Sequence, residues 1–163
     1  MEKISVEYGS HLPHLIKVIN KTRGPVLELG MGLFSTPYLH FACYPERRLV
    51  SYENHKDFFD SLSPFKSNYH EIYFVTDWDK IDISGHWSVV LVDHEPFSRR
   101  KEEIKRLAKS ANYIVVHDTN PRLDRKSKYS EIYPLFKFRK DFNREKPYTA
   151  ILSNFKDLSK LSI

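Results

Sequence analysis

Cysteine is almost missing from this chain. Cys43 is the only one, which excludes an internal disulfide and any metal site built on paired thiolates. Glycine is also scarce, five in 163 residues, and no Gly/Ser/Pro-rich tract or internal repeat divides the sequence. It reads as one domain spanning 1–163, long enough to bury a single substantial core. No apolar run approaches the ~18–20 residues of a membrane span. Residues 1–8 carry charges where the apolar core of a secretion signal would sit, so cytoplasmic residence is expected. Against these absences, 40% hydrophobic and 29% charged residues place the chain in the globular class.

The net charge of +5 is uneven. Residues 98–146 hold 15 Lys/Arg against 7 Asp/Glu, and the rest of the chain is slightly acidic. Such a basic second half suits an anionic partner, nucleic acid included. The plainer alternative is a set of solvated helix faces.

Hydrophobic periodicity organises the chain. Residues 10–21 place Leu12, Leu15, Ile16 and Ile19 at helical spacing with Ser10 as a cap, and residues 1–24 form an N-terminal helix or lid. Short apolar runs at 26–30, 49–53, 69–75, 87–93 and 113–116 predict strands, and the unbroken Val89-Val90-Leu91-Val92 suits a parallel strand covered on both faces. Helices are expected over 38–46, 55–62 and 98–111, a loop over 120–128 and a short helix over 129–135. Residues 136–142 and 147–153 read as two strands of a terminal hairpin, 136–153. Strands alternating with helices predict an α/β, doubly wound, mostly parallel sheet with helices on both faces.

The functional signal lies at the strand ends. After the first strand comes Glu28-Leu29-Gly30-Met31-Gly32, followed by Ser35-Thr36-Pro37 at a helix start. Glycines let the backbone turn sharply and approach a ligand, Ser35 can cap the helix, and its free amides make a polar cradle. Acids or histidines close the later strands: Glu53, Asp77, Asp93 with His94, and His117 with Asp118. Ligands of doubly wound sheets sit beyond these carboxyl ends. Glu53 follows Gly30 by 23 residues, near the ~20 expected for an acid that binds ribose hydroxyls. Both NAD and S-adenosylmethionine meet that requirement. Ser35 in place of a third fingerprint glycine, and the negative charge of Glu28, disfavour a pyrophosphate and suit a ligand with ammonium and sulfonium groups.

On these residues the chain resembles the class I S-adenosylmethionine-dependent methyltransferases over nearly its whole length. Glu28 to Gly32 is similar to the family's first motif, Tyr52-Glu53 to its ribose-binding acid, Asp77-Trp78 to its adenine position and 87–93 to its fourth-strand motif. Leu33 stands where a further glycine is common. The resemblance implies a seven-stranded sheet of order 3-2-1-4-5-7-6 with the last strand antiparallel. It also implies S-adenosylmethionine as cofactor, bound by Glu28, Gly30, Met31, Gly32, Ser35, Thr36, Glu53, Asn54, Asp77, Trp78 and Asp93.

Two absences narrow the chemistry. No Asn/Asp-Pro-Pro-aromatic tetrapeptide marks exocyclic-amine methylation of bases. No Pro-Cys pair marks a thiolate nucleophile, and Cys43 reads as a small buried hydrophobe. The expected activity is methyl transfer to an oxygen or nitrogen nucleophile of a small molecule. An RNA or other nucleic-acid methyltransferase and a non-catalytic S-adenosylmethionine-binding module stand as alternatives. His117, Asp118 and His94 are the catalytic candidates, with His117 or His94 as general base. Asp93, His117 and Asp118 could instead hold a divalent metal such as Mg²⁺, a less favoured reading than a metal-free site, or could merely shape the pocket. Tyr8 and His11 in the N-terminal segment, and Arg99 and Arg100 after the fourth strand, are candidates for closing the site on its acceptor. A second copy of the chain could complete the pocket.

Overall fold

Unbroken apolar runs become the middle strands because helices cover both faces of the sheet. The computed structural model describes residues 5–161. Its strands are β1 (Val26–Leu29), β2 (Leu49–Glu53), β3 (His70–Phe74), β4 (Trp87–Val92), β5 (Ala111–His117), β6 (Phe138–Phe142) and β7 (Thr149–Ser153). They form one seven-stranded sheet of order β3-β2-β1-β4-β5-β7-β6. β1 to β5 pair in parallel, and β7 runs antiparallel to both β5 and β6. The chain builds outward from β1 to β3, then crosses back to β4. Strand order therefore reverses between β1 and β4, and their carboxyl ends flank a crevice.

Alternation along each strand splits the core in two. On β4, Val90 and Val92 face Leu27, Leu29, Ile104 and Leu107, while Val89 and Leu91 face Leu15, Val18, Leu39 and Ile151. Helices α1 (Leu12–Asn20) and α2 (Ser35–Cys43) supply the second face, and α4 (Arg100–Leu107) supplies the first. Helix α3 (Lys56–Leu62) packs Leu62 on Met31 and Ile72. Each fully buried Leu or Ile side chain contributes about 1.5–3 kcal/mol. Cys43 is fully buried, as expected of a small hydrophobe.

Several boundaries differ from the sequence reading. Helix α1 begins at Leu12 with His11 at the cap position, so Ser10 is not its cap; the Ser10 hydroxyl is drawn to His117 and Pro147 instead. Ser35 is the first residue of helix α2 rather than its cap, and Phe34 occupies the cap position without a side-chain bond. Ser35 turns its hydroxyl to Glu28 instead of capping. Helix α4 stops at Leu107, and Ala111 opens β5, because Ser110 already accepts the Trp87 amide in the sheet ladder. Residues 129–135 form two 3-10 turns, Tyr129–Glu131 and Tyr133–Leu135; Pro134 lacks the amide that a continuous helix requires. The expected loop at 120–128 holds a 3-10 turn, Pro121–Leu123, and the single turn α5, Asp124–Ser127. Among the described residues no helix is long and apolar enough to cross a membrane.

Candidate functional site

The glycine turn is fixed from two sides. Gly30 has φ +94°, and a Cβ there would lie 2.5 Å from the carbonyl carbon of Asp93 and the amide of His94. Its bare Cα thus admits the end of β4 itself, where a ligand was expected to come close. Beneath the turn, Glu28 is fully buried. Its carboxylate accepts from Thr36 Oγ1 at 2.9 Å and from Ser51 Oγ at 2.6 Å, and Thr36 Oγ1 accepts from the Gly32 amide at 3.0 Å. Burial pushes Glu28 up to about 7 against the pull of these hydroxyls. Glu28, Ser35 and Thr36 therefore brace the turn from below.

The Glu28 bond sets the direction of a longer chain. Ser51 gives its one proton to the carboxylate, so His70 Nε2–H must donate to Ser51 Oγ, 2.9 Å away. His70 Nδ1 lies 3.2 Å from His40 Nδ1, and His40 Nε2 lies 2.8 Å from the Tyr69 hydroxyl.

Glu53, at the end of β2, joins that strand to the turn. It accepts from the Met31 amide at 2.7 Å and from the His55 amide at 2.5 Å. Burial, the largest influence, raises its carboxyl above the ordinary range. Asn54 beside it keeps a buried Oδ1 without a partner. Asp77 caps a 3-10 turn by accepting from the Asp79 amide at 3.0 Å and pairs with Lys80 at 3.2 Å. Trp78 is buried, donates to the Glu95 carbonyl at 2.9 Å and stacks on His94 at 3.9 Å between ring centroids.

The ends of β4 and β5 carry the densest polar cluster. His117 Nδ1 donates to Asp93 Oδ2 at 3.1 Å, and its Nε2 lies 2.9 Å from Ser10 Oγ. Ser10 spends its proton on the Pro147 carbonyl, 2.8 Å away, so Nε2 is also a donor. Both nitrogens are protonated in this arrangement. Burial pulls His117 down, but Asp93 and Asp118 more than offset it and hold the imidazolium above its ordinary value. A doubly donating His117 is not poised as a general base. His94 is no freer: it is buried, covered by Trp78, with Nε2 3.4 Å from the buried Glu103. His11 differs. It is 1% exposed, meets His117 edge-on at 4.6 Å, and neither ring nitrogen has a partner. Burial holds it down at about 4 despite the nearby Asp93.

Arg99 and Arg100 do not present themselves to an acceptor. Arg100 is 2% exposed, its guanidinium 3.2 Å from Asp93 Oδ1 and 3.0 Å from Asp118 Oδ2, with Nε on the His94 carbonyl. It bridges the two strand ends from inside. Arg99 pairs with Asp79 at 2.8 Å and with Glu103, linking the Asp77 turn to α4. Asp118 takes the left-handed backbone, φ 59°, to reach Arg100. Tyr8 is exposed. A Mg²⁺ ion shared by Asp93, His117 and Asp118 does not fit this arrangement, because the fixed charge of Arg100 already lies between the two acids. Ser10 and Glu103, which lie against His117 and His94, escaped the sequence reading; Glu103 looks like one more charge on a solvated helix.

The sheet order, the glycine turn after β1 and the acid closing β2 define the fold of the class I S-adenosylmethionine-dependent methyltransferases. Among solved structures, the chain is similar to the O-methyltransferase TomG from Streptomyces achromogenes in complex with SAM. The two are 18% identical with a TM-score of 0.67, over 93% of this chain and 81% of that one. The O-methyltransferase from Bacillus cereus in complex with SAH is 14% identical with a TM-score of 0.65, over 93% and 83%. Human methyltransferase-like protein 13 in complex with SAH is 10% identical with a TM-score of 0.66, over 98% and 86%. No protein-family model matches the chain, and no curated protein matches it by sequence.

Proposed function

We propose that this protein is a methyltransferase that uses S-adenosylmethionine and methylates an oxygen or nitrogen nucleophile of a small anionic molecule. The observation that carries the reading is the bond from the Met31 amide to Glu53, 2.7 Å. It joins the glycine turn and the β2 acid into one surface at the strand-order reversal. Glu53 retains lone pairs for the ribose hydroxyls, with the unpartnered Asn54 Oδ1 beside it. Met31 and Gly32 face the methionine part, and Asp77 takes the adenine edge. Neighbours of the same fold hold SAM or SAH.

The acceptor belongs beyond the end of β5, on the side of Asp118. A cleft of about 560 Å³ opens beside Asp118, lined by Glu7, Asp118, Asn120, Arg122, Lys146 and Tyr148. Arg122 and Lys146 have no carboxylate partner among the described residues, so they are available to an anionic group. Methyl transfer is an in-line displacement on sulfonium that depends chiefly on alignment. In that step His117, held cationic by Asp93 and Ser10, and Asp118, held by Arg100, fix the floor of the acceptor cleft rather than remove a proton.

The nucleic-acid reading draws less support. Seven of the fifteen cations in 98–146 are paired with carboxylates: Arg99, Arg100, Lys101, Lys105, Arg106, Lys128 and Arg139. Calorimetry with S-adenosylhomocysteine tests the donor. A screen of small carboxylates and phosphates for methyl incorporation tests the acceptor. Donor binding with no transfer to any acceptor would favour a non-catalytic binding module. Transfer to RNA or DNA that fails with added salt would favour the nucleic-acid reading.

A further inference from the structure

The polar cluster beneath the acceptor cleft has a feature that methyl transfer does not require. Asp93, His117 and His11 come from β4, β5 and the turn before α1, and their ligand atoms all lie within 4.8 Å of one another. Ser10 Oγ accepts from His117 Nε2 at 2.9 Å because its own proton goes to Pro147. In a neutral His117 this fixes the Nε2–H tautomer and leaves the Nδ1 lone pair facing Asp93 Oδ2 across 3.1 Å. Two acceptors so close need a cation, and in the metal-free protein a proton serves. The same outer-shell arrangement, one ring N–H held by an acceptor and the other nitrogen aimed inward, orients histidine ligands of metals. The third group is His11, 1% exposed, with neither nitrogen partnered. An unpartnered imidazole in such a place costs free energy.

We propose that His11, Asp93 and His117 form a binding site for one divalent transition cation of the zinc or cobalt class. Two imidazoles and one carboxylate suit Zn²⁺, Co²⁺ or Fe²⁺, whereas Mg²⁺ takes oxygen ligands. Metal–ligand distances of about 2.0–2.2 Å put ligand atoms roughly 3–4 Å apart, so separations of up to 4.8 Å close by about 1.5 Å at most. Arg100 approaches the other oxygen, Oδ1, at 3.2 Å, leaving Oδ2 for the metal. Asp118 beside it balances the guanidinium.

The site is tested without any methyl donor, so its failure and that of the donor reading are separate results. The chelator-treated chain is titrated with Co²⁺ and with Zn²⁺, followed by visible absorption and by metal content after desalting. One equivalent per chain is expected, with the intense d–d bands of a low-coordinate Co²⁺–imidazole site. His11→Gln should weaken binding at least about 100-fold and collapse those bands, while circular dichroism stays unchanged. His14→Gln, whose ring stacks on Phe142 at 3.9 Å, should leave binding intact. His117→Asn provides a second ligand variant if His11→Gln fails to fold. Substoichiometric binding by the unaltered chain, or binding that His11→Gln leaves unchanged, would overturn the proposal.

Discussion

Ser10 Oγ and His117 Nε2 lie 2.9 Å apart although 107 residues separate them. That contact fixes the protonation of the cluster, because the serine proton is committed to Pro147. In chelator-treated protein at pH 6, below the ordinary histidine value, both ring nitrogens of His117 should carry protons, visible in nitrogen-edited NMR. The raised value makes His117 stabilising below its unfolded pKa of ~6.5, a contribution lost as pH rises through the higher folded value. Ser10→Ala should remove the acceptor and lower the pH at which the His117 signals titrate. An His117 ring that is neutral at pH 6.5 in the unaltered chain would contradict this assignment.

Glu28 should make the fold less stable in mild alkali. Its folded pKa of about 7 exceeds the unfolded value of 4.5, so its contribution is complete below pH 4.5 and is lost as pH rises through 7. The difference corresponds to about 3 kcal/mol. Glu28→Gln should flatten unfolding free energy against pH across that window, measured by urea titration. A protonated-carboxyl infrared band near pH 6 that disappears in Glu28→Gln would assign the group directly.

Gly30 and Gly85 share positive φ, +94° and +89°, but differ in surroundings. Gly85→Ala meets no atom within 4 Å, so only backbone strain applies, about 1–2 kcal/mol. Gly30→Ala adds a collision at 2.5 Å with the Asp93 backbone and should lose more than about 3 kcal/mol, together with donor binding. Equal midpoints for the two variants in thermal unfolding would refute the packing role assigned to Gly30.

Arg100 should be a stability residue. Removing one partner of a buried ion pair costs about 3–5 kcal/mol, and Arg100→Met leaves Asp93 and Asp118 to share His117. Asp79→Ala, which removes only the surface partner of Arg99, should cost about 1 kcal/mol or less. Chemical denaturation of Arg100→Met and of Asp79→Ala separates the two; similar losses would return Arg100 to the solvent-facing role its sequence position suggested.

That pair shows where the sequence was readable and where it was not. Strand ends were legible because Glu53 and Asp93 each close an apolar run, and strand parity then decides which faces are buried. Arg99 and Arg100 look alike in the chain, yet about 100° of helical rotation separates them. One turns outward to Asp79 and the other passes beneath the sheet edge. Glu103 is hidden for the same reason: its burial depends on Arg99 and His94 meeting it. The Ser10–His117 contact depends on tertiary closure between segments with no local pattern. The base role expected of His117 depended on its intrinsic pKa alone; Asp93 and Ser10 change the outcome.

The central claim is that Glu53 and the Gly30 turn form the seat of the methyl donor. Isothermal calorimetry with S-adenosylhomocysteine, on the unaltered chain and on Glu53→Ala, tests it most directly. We expect one site per chain and affinity reduced at least about 10-fold by the substitution, equivalent to about 1.4 kcal/mol. Absence of binding, or identical affinity in Glu53→Ala with its fold intact by circular dichroism, would contradict the account.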